Sequence, residues 1–276
     1  MDKTICELFA GVGGFRLGFD RLASGWTTNW FSQWEPGKRV QWAHDCYVEH
    51  YGDLPDINGE YHTGDDISIV DKSSIPDHSL LVGGFPCQDY SVAHTLASSK
   101  GIEGKKGVLW WQIRDILEVK RPPFCLLENV DRLLKSPASQ RGRDFGVILA
   151  CFSNLGYSVE WRVVNAAQYG AAQRRRRTFI FAYHKDTVYS NKMSKLSAED
   201  IVKDKGFMVS AFPISDTENM HSTEISTDLV EVSDKFAFSF ENAGYMTNGK
   251  ITTAKIKEHE DCLLYTSPSP RDMRRS

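Results

Sequence analysis

Several familiar signals are missing from this 276-residue chain, and each absence removes a class of protein. No run of residues approaches the roughly 20 apolar positions that a membrane helix needs. The opening MDKTICELFAG enters an apolar strand directly and leaves no room for a signal peptide, so the expected compartment is the cytoplasm. The six cysteines, at 6, 46, 87, 125, 151 and 262, include no CxxC pair and no zinc-like Cys/His spacing, so neither a disulfide framework nor a structural metal is expected. An excess of positive charge is also missing, because the net charge is −3. The charge is uneven, however: between Arg132 and Arg177 nine basic residues face two acidic ones, a bias compatible with phosphate contact or with a solvated face.

The remainder, 41% hydrophobic and 25% charged, is that of a folded globular protein. Apolar strands alternate with amphipathic helices. TICELFA, TTNWFSQWE, HSLLVGGF, PFCLLENV, YSVEWRVVNA and RTFIFAY read as strands. Helices are expected around Phe15–Leu22, around Val40–Tyr51, over VLWWQIRDILEV, and over DFGVILACFSNLG with Phe145, Ile148, Leu149 and Phe152 inward. This alternation predicts an α/β fold with a mostly parallel sheet, helices on both faces and ligands at the carboxyl ends of the strands. After about residue 185 the texture becomes irregular, with strand-like KFAFSF and GKITTAKI. The expected organisation is a catalytic domain at 1–185, an incomplete second region at 186–261 and a non-native or disordered tail at 262–276, where CLLYTSPSPRDMRRS resembles a translated sequencing adapter.

The chemistry-bearing residues sit at predicted strand ends. ELFAGVGGF, residues 7–15, is a glycine loop before a helix, suited to a ligand approaching the backbone but lacking the dinucleotide spacing. Glu35 is placed either to accept from ribose hydroxyls or to cap the next helix. HTGDDI offers Asp65 and Asp66 at a third strand end. In GGFPCQDYS, Pro86 stiffens the turn that presents Cys87, where N–H groups and a helix dipole favour thiolate over thiol. Glu128 and Asn129 emerge from the apolar strand of LLENV, and a partly buried carboxylic acid there can donate a proton. In QRRRRTFIF, Gln173, Arg175 and Arg177 alternate so as to point one way, as guanidinium forks for a carbonyl or phosphate oxygen. Residues 88–106 have the Gly, Ser and Lys content of a lid.

In this order, ELFAGVGGF, WE, GDDI, GFPCQDYS, GVLWW, ENV and QRRRR resemble the DNA (cytosine-5) methyltransferases of bacteria and phages over residues 4 to about 183. The resemblance implies a Rossmann-like methyltransferase fold, S-adenosyl-L-methionine as cofactor, double-stranded DNA as substrate and a cytosine flipped into the pocket. By motif it assigns cofactor contacts to Phe9, Gly11, Gly13, Glu35, Asp66 and Pro86. Cys87 becomes the nucleophile, Glu128, Arg175 and Arg177 the groups on the flipped base, and Gln88, Ser91, Asn129 and Gln173 further substrate contacts; no metal is implied. It also implies a monomer and a cognate restriction endonuclease in the same system. Two mild departures are Glu7, where the family usually has Asp, and Asp89–Tyr90 after the cysteine. FENAGYMTNGKITT resembles only the entry to a target-recognition region, so the chain is expected to be C-terminally truncated. The rival reading is a non-catalytic, cofactor-binding paralogue.

Overall fold

The computed structural model describes residues 2–85 and 109–258. These divide into two units, one gathering 2–85 with 109–127 and the other 128–258.

In the first unit, β1 (Thr4–Leu8) is followed by α1 (Gly14–Arg21), β2 (Thr27–Ser32), α2 (Trp42–Tyr51), β3 (Leu80–Gly84) and α3 (Leu109–Lys120). β1 lies between β2 and β3 and is parallel to both. Buried Ile5, Leu80 and Val82 pack against Phe15 and Phe19, which explains why the apolar positions of α1 recur at helical spacing. Tyr47 of α2 stacks on Phe31 at a centroid distance of 3.9 Å, with Val48 and Tyr51 alongside. Val40, expected on the same helical face, precedes α2 and is exposed. β4 (Phe124–Val130) begins in the first unit and ends in the second.

In the second unit come α4 (Arg143–Asn154), β5 (Tyr157–Asn165), β6 (Arg176–His184), α5 (Val188–Met193), α6 (Ala198–Asp200), α7 (Phe207–Ala211), β7 (Ile214–Glu224), α8 (Leu229–Lys235), β8 (Ala243–Thr247) and β9 (Lys250–Glu258). Here the pairings of β5 with β6 and β8, and of β9 with β8 and β7, are all antiparallel. The parallel expectation therefore holds around β1, whereas the connection from Asn165 to Arg176 is too short for a helical crossover and turns the chain back. α4 is buried continuously from Asp144 to Phe152, so its apolar surface extends beyond the expected stripe.

Two expectations fail in this unit. KFAFSF is not a strand: Lys235 ends α8, and the following phenylalanines anchor to α4. Phe240 meets Phe145 edge-on at 4.9 Å, while Phe236 lies so near Gly146 that a Cβ there would come within 2.5 Å of its ring. Packing on the helix replaces strand pairing. Conversely, β7 is an eleven-residue strand without the apolar alternation that would announce it, because it rests on β9 with few buried side chains.

Candidate active site

The glycine loop leaves β1 through Phe9, whose φ of 54° places a non-glycine residue in the left-handed region. Gly13, at φ 87°, precedes α1; a Cβ there would lie 2.6 Å from the Tyr51 ring, so only glycine fits. Nothing stands within 4 Å of the equivalent position at Gly11, leaving that stretch of backbone open. Gln33 fixes the loop. Its Oε1 accepts from the Gly11 N–H at 2.7 Å, and its own N–H donates to the Thr63 carbonyl at 2.8 Å. Through its side chain and its backbone, this one residue just past β2 ties the glycine loop to the segment of Thr63, which no sequence motif announced; HTGDDI itself, expected at a third strand end, follows no strand, because residues 52–79 form none.

Among the described residues, each carboxylate assigned to the cofactor has only one of its oxygens hydrogen-bonded. Glu35 Oε2 accepts from the Ala43 N–H at 3.3 Å, in the first turn of α2, so the capping alternative is present. Its backbone is clasped by Gln41, which accepts the Glu35 N–H at 2.6 Å and donates to the Glu35 carbonyl at 3.1 Å. Asp66 Oδ1 accepts from the Ser68 N–H at 2.9 Å. Neighbouring Asp65 instead bonds His62 Nδ1 at 2.9 Å, and this bond helps to raise the histidine pKa. Among the described residues, the carboxylate of Asp65 is thus already engaged by a side chain, whereas that of Asp66 is engaged by the backbone.

Beneath the loop, Glu7 is buried and accepts from the Tyr47 hydroxyl at 3.0 Å. Desolvation pushes its pKa up to about 7, against the opposing effects of Tyr47, the Phe15 and Arg16 N–H groups and the Arg16 charge. Elsewhere in this unit, Asp56, Glu60 and His62 bring one potential metal-ligand atom each within 4.8 Å of one another. The Asp56 carboxylate is committed to the N–H groups of Asn58 and Glu60.

In the second unit, Arg177 Nε lies 2.6 Å from Glu128 Oε1, and Arg175 Nη2 lies 3.8 Å from the same oxygen. Arg176, between them, turns the other way and meets Asp131 at 3.0 Å. Arg175 and Arg177 therefore share the direction expected of them. Gln173 is exposed and lies before β6 begins at Arg176. Asn129 is buried and accepts from the Val130 N–H at 2.8 Å. Pro86, Cys87, Gln88 and Ser91, and the expected lid at 88–106, lie outside the described residues. Burial pushes the thiols of Cys6 and Cys125 far up, which makes both unreactive.

These features define an α/β protein with a strand-end glycine loop, two carboxylates beside it and an arginine-bound glutamate. The family model described as C-5 cytosine-specific DNA methylase matches residues 3–265, and the chain belongs to that family, with its Rossmann-like methyltransferase fold. It is 49% identical over 255 residues to the Type II methyltransferase M.Sau3AI of Staphylococcus aureus, covering 90% of this chain and 60% of the relative. It is 38% identical over 185 residues to the Type II methyltransferase M.NgoBI of Neisseria gonorrhoeae, covering 66% and 51%. The chain thus spans little more than half the length of these curated relatives. The S. pombe Dnmt2 methyltransferase structure superposes with a TM-score of 0.48 at 16% identity, covering 76% of this chain and 61% of that one.

Proposed function

We propose that the chain carries the machinery for methylating carbon 5 of cytosine in double-stranded DNA, using S-adenosyl-L-methionine. The observation that carries this reading is the Glu128 carboxylate held by Arg177 at 2.6 Å and Arg175 at 3.8 Å, in a chain of this family. Residues 1–185 supply the chemistry, and 186–261 begin the region that meets the target. The protein acts in the cytoplasm as a monomer, beside a cognate restriction endonuclease. Among the described residues no helix is long and apolar enough to cross a membrane.

The first unit suits the cofactor. The open backbone at Gly11 would admit its close approach, Glu35 would accept from its ribose hydroxyls and Asp66 from its adenine amino group. By motif, Phe9, Gly13 and Pro86 would add further cofactor contacts. The bound cofactor supplies an electrophilic methyl group.

Carbon 5 of cytosine is a poor nucleophile until carbon 6 is attacked. The Cys87 thiolate adds to carbon 6 of the flipped base, and its electron pair forms the S–C bond. Glu128 protonates or hydrogen-bonds ring nitrogen 3, which makes carbon 5 enamine-like and able to take the methyl group. Arg175 and Arg177 orient Glu128 and hold the ring carbonyl oxygen where negative charge develops. Loss of the carbon 5 proton to a base then expels the cysteine and restores the ring. Gln88, Ser91, Asn129 and Gln173 line the approach of the substrate strand.

The test is transfer of labelled methyl to duplex DNA by this chain, with Cys87→Ser as the comparison, alongside trapping on 5-fluorocytosine DNA. Transfer and a covalent adduct that both vanish in Cys87→Ser are expected. Cofactor binding with no transfer and no adduct would favour the non-catalytic paralogue.

A further inference from the structure

The basic bias between Arg132 and Arg177 is only partly explained by the Glu128 cluster. A second feature of the same unit uses more of it. A cavity of about 300 Å³ is lined by Lys135, Arg141, Arg176 and Lys255, with Asp131 and Glu241 as its acids. Its floor includes the buried side chains of Leu134, Val163 and Phe240.

The cations are not balanced within the fold. Asp131 is committed to Arg176 at 3.0 Å, and Lys255 reaches Glu218 only at 3.8 Å. The Lys135 ammonium and the Arg141 guanidinium have no carboxylate within ion-pair distance among the described residues, in a chain whose acids outnumber its lysines and arginines 36 to 33. Some exposed cations of this unit are paired, Lys203 with Glu199 and Lys235 with Glu231, so what sets Lys135 and Arg141 apart is that they line one cavity together. The rim is also firmly held. Asn242 spends both ends of its amide on Ile256, and the Glu241 N–H donates to Thr253.

A small, apolar-floored cavity edged by four cations, two of them without a carboxylate partner among the described residues, suits a group that is anionic on one side and carbon-rich on the other. A sugar–phosphate unit has that character: the sugar lies on Phe240 and Val163, and the phosphate oxygens meet Lys135, Arg141 and Arg176.

We propose that this cavity is a backbone-phosphate subsite for duplex DNA; this rests on the DNA-methylating function proposed above. Phosphate displaces Asp131 from Arg176 as it enters.

The experiment compares wild type, Lys135→Ala/Arg141→Ala and the charge control Lys192→Ala/Lys203→Ala, each as the 276-residue chain. Duplex DNA affinity is measured between about 50 and 200 mM salt, alongside methyl transfer at saturating DNA and the thermal unfolding midpoint. The cavity variant is expected to bind about 10-fold more weakly at the low-salt end and to lose about one unit of the log–log salt slope, with turnover and unfolding midpoint retained. The control keeps its slope. A wild type that transfers methyl to DNA while the cavity variant keeps the full slope overturns the subsite alone, as does an equal loss in the control. A wild type that neither binds nor methylates DNA overturns the underlying reading, and the subsite with it. Inorganic phosphate is the competing source of the same chemistry. If it binds wild type as tightly as duplex DNA does, and is lost equally in the cavity variant, the cavity is a free-anion site and the proposal fails.

Discussion

In the first unit the acids Glu35 and Asp66 are held by backbone N–H groups, those of Ala43 and Ser68, whereas in the second unit Glu128 is held by the side chains of Arg177 and Arg175. The two ways of holding a carboxylate suit different tasks. A backbone donor is fixed by the fold and uncharged, so the carboxylate it holds is a preset acceptor for hydroxyl and amino groups. A guanidinium sits on a long side chain with five donors and can be shared between Glu128 and an incoming base. Arg175 is half exposed. Damage to the first arrangement should therefore register in folding and cofactor affinity, and damage to the second in rate.

The largest expected effect tests the rate side of that contrast. Arg177→Ala removes the 2.6 Å partner of Glu128 and a donor to the developing charge, which is expected to lower kcat by a factor of about 10²–10³. Its unfolding free energy should change by less than about 1 kcal/mol, because the pair remains partly open to solvent. Steady-state kinetics and thermal melts check both halves. A collapse in stability would erase the contrast.

Glu7→Gln comes next, with the effect read in stability rather than rate. The native pKa of Glu7 is raised to about 7, against an ordinary value of 4.5, so between those limits the folded state binds more protons than the unfolded state. The stabilisation is complete below about pH 4.5 and is lost as pH rises through 7, a swing of about 3 kcal/mol. Glutamine keeps a partner for Tyr47 without a titrating group, so the unfolding free energy of the variant should be flatter across this window by that amount. Parallel pH profiles in urea for the two proteins check it.

Gly13→Ala is expected to cost about 2 kcal/mol, since it adds a Cβ that would lie 2.6 Å from the Tyr51 ring at a φ of 87°. Gly11→Ala shares the positive φ but meets open space, so it should cost less in stability while obstructing the cofactor. Calorimetric melts and cofactor titration separate the two glycines.

The sequence made the first unit more legible than the second, for a physical reason. β1 and β3 follow from short apolar runs buried on both faces, and α1 and α2 from the helical spacing of Phe15 with Phe19 and of Tyr47 with Tyr51. The alternation of Arg175 and Arg177 toward Glu128 could be read from strand geometry alone. What escaped was held together by contacts rather than by pattern. The glutamines at 33 and 41 act through amide groups that any surface glutamine also carries, so only their distances reveal the clasp. β7 is specified by its pairing with β9, and the phenylalanines at 236, 238 and 240 alternate like a strand, yet Phe236 and Phe240 pack on α4. The antiparallel return from β5 to β6 was written in the length of the intervening loop rather than in the strands themselves.

The smallest expected effect divides the two readings of Glu35, which the structure shows to be compatible. One carboxylate oxygen accepts from the Ala43 N–H at 3.3 Å, a long bond, and Gln41 already fixes the Glu35 backbone from both sides. Loss of the cap in Glu35→Ala should therefore cost about 0.5–1 kcal/mol of stability. Glu35→Gln retains an acceptor for Ala43 and should recover most of that. Its neutral amide is a weaker acceptor for ribose hydroxyls, so cofactor affinity should fall about 10-fold in both variants. Melting and cofactor titration of the pair then give opposite rankings: glutamine near wild type in stability, and near alanine in affinity. If glutamine restores affinity along with stability, Glu35 acts only as the α2 cap, and the first unit has one fewer acceptor for a cofactor than its geometry offers.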